Sequence, residues 1–174
     1  MVALCESKGL RAVRDDVLTH LAGVPAESLG GIFAGHLIEH LSAGAVQQFL
    51  AMAHRALQPG GVLVCETPNT LCLFVIANTY YRDPTHQRPL HPETYQFLAT
   101  LAGFADIQLR YSLPVPSQYT AEPLNMPAEA DAYVRHLVTA GNERLRRINE
   151  QLFGAQNVAL VGHKPAITDV QRIA

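Results

Sequence analysis

His36, Glu39 and His40 are spaced i, i+3 and i+4, so one helical turn brings them to the same side. Two imidazoles and a carboxylate presented together are groups that can hold a divalent metal, and His86 and His91 in a later segment could complete the set. A histidine near neutral pKa also suits deprotonating a hydroxyl, which makes His36 and His40 candidate general bases. The preferred reading of the turn assigns no metal: Glu39 and His40 cap it and hydrogen-bond within it. Arg82, His86 and Arg88 share a proline-broken stretch and could hold an anionic sugar or phosphate, or stand as a solvated loop. Asn69, closing Thr67-Pro68-Asn69, is a further acceptor-side candidate. Arg144, Arg146 and Arg147 lie beside Glu143 and Glu150 and read as a solvated helix face. Without interleaved aromatics they give no support to nucleic-acid binding.

These groups need elements to position them. Gly31–Leu37 is apolar, short and bounded by glycine, which predicts a strand buried on both faces. Ser42 can cap the following helix, where Val46, Phe49, Leu50, Ala53 and Leu57 recur at helical spacing. Pro59-Gly60-Gly61 stops that helix and turns into a second strand, Val62–Glu66. Upstream, Met1–Lys8 reads as a helix closed by Gly9, Leu10–Arg14 as a strand leading to Asp15-Asp16, and Val17–Ala22 as one or two helical turns. Downstream come a helical Thr70–Tyr81, a loop Asp83–His91, a helix opened by Pro92, and a strand Ala105–Tyr111. An irregular Pro114–Pro127 leads to a long helix over Ala128–Phe153 and a last strand Asn157–Val161. The stripe Val134, Leu137, Gly141, Leu145, Ile148, Leu152 on the long helix predicts packing on the body, or less commonly on another subunit.

Strands alternating with helices imply an α/β fold with a largely parallel sheet covered on both faces. Ligands in such sheets sit at the carboxyl ends of the strands, which singles out Asp16, Gly35 to His40, and Thr67 to Asn69. A chain of 174 residues, 48% of them apolar, fits one folded domain with a real core. Its net charge of −2 argues against a general nucleic-acid binder. The three cysteines, Cys5, Cys65 and Cys72, form no CxxC pair and read as reduced thiols of a cytoplasmic protein. The apolar run Leu71–Ala77 is too short to span a bilayer.

Glu39-His40-Leu41, a helix, Leu57-Gln-Pro-Gly-Gly61 and a strand follow one another in an order that resembles the later part of class I S-adenosylmethionine (SAM) dependent methyltransferases. Glu66-Thr-Pro-Asn69, Asp83-Pro-Thr-His86 and Arg88-Pro-Leu-His-Pro-Glu93 are similar to a bacterial subgroup associated with polysaccharide and O-antigen modification. The resemblance implies a Rossmann-like sheet of strand order 3-2-1-4-5-7-6, SAM as cofactor, and a small-molecule or saccharide-linked acceptor. It implies that Asp16 matches the acid at the adenine edge, and that Gly35 and His36 match the floor of the cofactor pocket. Gly30 stands where the family often has an aspartate.

The glycine-rich loop and the ribose-binding acid find no counterpart after Met1, so the resemblance implies a methyltransferase domain over 1–165 lacking its first two strands. A helical insertion at about 113–154 precedes the last strand, and 166–174 is a tail. Without those strands the edge of the Gly31–Leu37 strand is bare. Unpaired buried backbone groups each cost ~1–3 kcal/mol, and such an edge recruits other strands. Three outcomes follow: the Leu10–Arg14 strand slides over to pair there, two chains join edge to edge, or the chain is a fragment stabilised by assembly; a homo-oligomer through the edge is the expectation. The competing expectation is a catalytically silent module that self-associates and binds no SAM.

Overall fold

Two apolar, glycine-bounded segments pair side by side and found the sheet. In a computed structural model describing residues 2–166, β1 (Leu29–Gly35) runs parallel to β2 (Leu57–Pro68), with Gly31 opposite Val62 and Gly35 opposite Glu66. Two further strands, β3 (Ala105–Pro114) and β4 (Ala155–His163), complete a 4-stranded sheet of order β1-β2-β4-β3. β4 is antiparallel to both of its neighbours. Among the described residues β1, β2 and β3 thus run the same way and β4 alone runs against them, in keeping with the expected largely parallel sheet. This order and these directions match the 4-5-7-6 portion of the sheet that the resemblance implies.

Local chemistry explains the joints. Residues 58–61 loop out of the β1–β2 ladder, since Leu29 pairs with Leu57 but Gly31 with Val62. Gly60 adopts φ +80°, and a Cβ on Gly61 would lie 2.8 Å from the Gln58 carbonyl oxygen, so this turn demands both glycines. Helix α1 (Val2–Ser7) ends at Gly9, at φ +72°, with Leu10 N–H donating to the Cys5 carbonyl and Gly9 N–H to that of Glu6. Ser42 Oγ accepts from Ala45 N–H at the start of α3 (Ala43–Ala56). Pro92 opens α4 (Pro92–Leu101), which His91 caps through Nδ1.

One face of the sheet carries the core. Leu21 of α2 (Val17–Gly23), Phe49 and Leu50 of α3, and Tyr95 and Ala99 of α4 meet Leu63, Cys65 and Leu160 of the strands. Each such Leu or Phe contributes about 1.5–3 kcal/mol by leaving water. The opposite face is the more open one among the described residues. There Phe33, Val64 and Val161 share one row across β1, β2 and β4. Val64 and Val161 are half-buried, and Phe33 is 72% exposed. Within β1 only Ala34 is buried, against the expectation of a strand shielded on both sides.

The predicted strand at Leu10–Arg14 does not form. Residues 9–16 are irregular, and no strand pairs with the outer edge of β1 among the described residues. An isolated extended segment gains nothing from a strand conformation without a ladder partner.

Beyond the sheet, Thr70–Tyr81 is helical in an irregular way, with a π turn at Val75–Thr79 and a 3₁₀ turn at Tyr80–Arg82. Cys72, Phe74, Val75, Tyr80 and Val115 form a small second core there. The long helix α5 (Ala132–Leu152) has no buried residue, so its apolar stripe does not pack on the body as expected. It is strapped instead to the irregular segment before it. Asn142 exchanges side-chain hydrogen bonds with the Leu124 N–H and C=O, and Asn149 does the same with Ala121. Arg146 and Arg147 pair with Glu143, as the solvated-face reading expects, and hold its carboxyl down at about 2. The tail read at 166–174 lies, beyond residue 166, outside the described residues. No helix among them is long and apolar enough to cross a membrane.

Candidate functional site

β1 ends at Gly35, and the chain turns sharply at His36, which adopts φ +50°. A left-handed conformation is costly for a residue with a Cβ, and here it is fixed by the His36 N–H donating to the Glu66 carbonyl at 2.9 Å. A single 3₁₀ turn, Ile38–His40, follows and closes with Leu41 N–H on the Ile38 carbonyl. The turn thus lies over the carboxyl ends of β1 and β2, where parallel strands receive ligands.

Glu39 is the centre of this cluster, only 2% exposed. Its Oε1 accepts from His36 Nδ1 at 3.1 Å, and its Oε2 accepts from Thr67 Oγ1 at 3.0 Å. The other nitrogen of His36, Nε2, lies 3.6 Å from Glu66 Oε1 and opens to solvent. The Glu39 carbonyl accepts from Gln87 N–H at 2.8 Å and so holds the later loop against the turn.

That loop supplies further groups. Asp83 Oδ1 accepts from both the Thr85 hydroxyl, at 2.6 Å, and the Thr85 N–H, at 2.8 Å. These bonds to Thr85, hydroxyl first, hold the Asp83 carboxyl below its ordinary range. Thr85 Oγ1 in turn lies 2.8 Å from His40 Nδ1. His86 Nδ1 lies 2.6 Å from the Tyr80 carbonyl, and its ring sits 4.7 Å from that of His40 and 4.5 Å from that of Tyr80.

The structure therefore brings His36, Glu39, His40 and His86 together. His91 stands apart as the cap of α4. Arg82 and Arg88 are exposed on the loop, and Arg88 borders a small cavity of ≈ 150 Å³ with Ile38, Leu41 and Leu90. Asn69 is 4% exposed and bound to main chain on every side: its Nδ2 donates to the Ala155 carbonyl, and its Oδ1 accepts from Leu71 N–H. Asp16 caps α2, its Oδ1 accepting from Leu18 and Thr19 N–H, which lowers its pKa. Asp83 and Thr85 fall within the Tyr80–His91 loop that the sequence offers as an acceptor-side candidate, without individual roles, and Glu66 is not singled out by its sequence as a site group. The Asp-x-Thr spacing of an Asx turn is the local signal that ties Asp83 to Thr85.

No protein-family model matches the chain, and no curated protein is found similar to it. Among solved structures, a SAM-dependent methyltransferase from Archaeoglobus fulgidus is similar at 27% identity and TM-score 0.82, over 94% of this chain and 72% of that one. The chain has the fold of SAM-dependent methyltransferases. A SAM-dependent methyltransferase from Thermotoga maritima shares the fold at 14% identity and TM-score 0.62, over 94% of this chain and 69% of that one.

SAM is the cofactor this methyltransferase fold implies, and the described residues fit it only in part. Gly35 and His36 stand at the end of β1 and Asp16 at the start of α2, but the outer edge of β1 faces no strand and no glycine-rich turn among the described residues. The exposed Phe33 ring also folds over Gly35, reaching 3.0 Å from where a Cβ would stand. The described residues thus offer one wall of a cofactor cradle without the opposite wall.

Proposed function

We propose that this chain serves SAM-dependent methyl transfer to a small or saccharide-linked acceptor seated over the carboxyl ends of β1 and β2. The observation that carries this reading is the His36 turn, set at the end of β1 in a sheet of methyltransferase order, with a buried carboxylate behind it. SAM supplies the electrophilic methyl group when bound, so the protein's task is mainly alignment. Glu39 fixes the His36 ring through Nδ1, leaving Nε2 to take the proton of an acceptor hydroxyl. Among the two candidate bases, His36 is the one whose ring a buried carboxylate orients. Arg82 and Arg88, exposed on the adjoining loop, suit an anionic sugar or phosphate. The saccharide part of the reading is supported by the Glu66–Asn69 and Asp83–His86 motifs. Buried, unpaired Cys65 and Cys72 are in keeping with action in the cytoplasm.

A second reading, a silent module that self-associates, is favoured by the bare edge of β1 and the outward Phe33. Calorimetry with S-adenosylhomocysteine separates the two. Saturable heat from the purified chain, with His36→Ala retaining that uptake while losing transfer to an acceptor, supports the enzyme. Absence of uptake at millimolar ligand overturns it in favour of the silent module.

A further inference from the structure

Three imidazoles surround the Glu39 carboxylate, and hydrogen bonding fixes which nitrogen of each carries its proton. The Tyr80 carbonyl can only accept, so His86 Nδ1 is the donor in that 2.6 Å contact. The Thr85 hydroxyl gives its one proton to Asp83 Oδ1, so it must accept from His40 Nδ1. Nε2 of both His40 and His86 is therefore left with a lone pair and no donor from the loop. Outer partners of this type, a backbone carbonyl on one histidine and a carboxylate-backed hydroxyl on the other, orient metal-ligating imidazoles and raise their basicity.

One donor atom each from Glu39, His40 and His86 lies within 4.8 Å of the other two. Ligands of a tetrahedral ion at about 2.0–2.2 Å stand roughly 3.3 Å apart, so small side-chain rotations would close the set. Glu39 retains lone pairs beyond its bonds to His36 and Thr67, since an ionised carboxylate offers about four acceptor positions. The ring of the buried Tyr80 backs His86 on one side. Both histidines are partly open to solvent, which leaves room for a water or substrate oxygen as a further ligand.

We propose that Glu39, His40 and His86 form a binding site for a divalent transition-metal ion, zinc by its ligand chemistry, with coordination positions left open to solvent. Two imidazoles and one carboxylate are donors suited to such ions, and hard cations such as magnesium prefer oxygen alone. Nothing in this site requires that the chain bind SAM. The turn that needs no metal to explain its spacing has, in three dimensions, a preformed ligand set completed from a distant loop.

The test uses the full chain stripped with a chelator and titrated with zinc by calorimetry and with cobalt(II) by absorbance. One equivalent of saturable uptake is expected, with ligand-field bands of a four- or five-coordinate cobalt ion. His40→Ala and His86→Ala should each weaken zinc affinity by on the order of 100-fold, and His136→Ala on α5 should leave it unchanged. Thr85→Val removes no ligand and should weaken affinity by about 10-fold through loss of the His40 orienting bond. Circular dichroism reports whether each variant folds. If the histidine variants fail to fold, Thr85→Val decides, and unchanged affinity overturns the proposal. Failure of the wild-type chain to take up either ion, or uptake that survives His40→Ala with His86→Ala, also overturns it.

Discussion

Thr67 and Glu39 close the gap between the end of β2 and the turn after β1 with one buried hydrogen bond, Oγ1 to Oε2, at 3.0 Å. Both residues are almost fully buried, Thr67 at 3% and Glu39 at 2% exposure. Thr67→Val would leave that carboxylate oxygen without its donor in a site water reaches poorly. A hydrogen bond to a charged group contributes about 1.5–3 kcal/mol, so a loss of that size is expected in urea unfolding. A change near zero would show that water replaces the hydroxyl.

His54 gives the stability a pH dependence. It packs edge-on against Phe104 at 5.2 Å, and its buried Nε2 has no hydrogen-bond partner. Burial first, and then the charge of Lys164, lowers its pKa below the ordinary 6.5. The unfolded chain therefore binds the proton more readily than the folded one, and stability falls as the pH drops below 6.5. His54→Gln should flatten this slope between about pH 7.5 and about pH 5.5, read from urea midpoints at each pH. An unchanged slope would assign the effect to other groups.

Cys65 should be chemically silent in the folded chain. It has no exposed surface, and burial pushes its thiol up to about 12, so the nucleophilic thiolate is scarce at neutral pH. Alkylation followed by mass spectrometry is expected to label the half-exposed Cys5 first, with Cys65 reacting only after unfolding. Early labelling of Cys65 would show that the helical layer over β2 opens readily.

The more open sheet face predicts association. Phe33, Val64 and Val161 form an apolar row beside the bare edge of β1, which is the kind of surface that draws in a second strand or sheet. Light scattering should give a mass above that of one chain at high concentration, and Phe33→Glu should shift it toward the monomer. A wild-type monomer at the same concentration would count against this.

The elements were legible wherever one local signal sufficed. Glycine-bounded apolar runs gave β1 and β2, and the spacing of Val46, Phe49, Leu50 and Ala53 gave α3 with its buried face. Leu10–Arg14 misled because its residues suit a strand, but a strand also needs a neighbour to bond with, and local pattern carries no record of one. The stripe on α5 was visible, but a period of three and four says that a face is apolar without saying what covers it. At the site, the spacing of His36, Glu39 and His40 was readable from one turn. The proton positions on His40 and His86 were not, because they depend on Thr85 and the Tyr80 carbonyl, which reach the turn only through the tertiary path of the loop.

Asn142 and Asn149 bind α5 to its own strap, and none of that helix sinks into the body. The helix is therefore held at two points along its length by a segment that itself precedes it in the chain. Its C-terminal end passes through Phe153 and Gly154 into Ala155 at the start of β4, whose carbonyl accepts from Asn69 Nδ2, so the helix is coupled to the turn that follows β2.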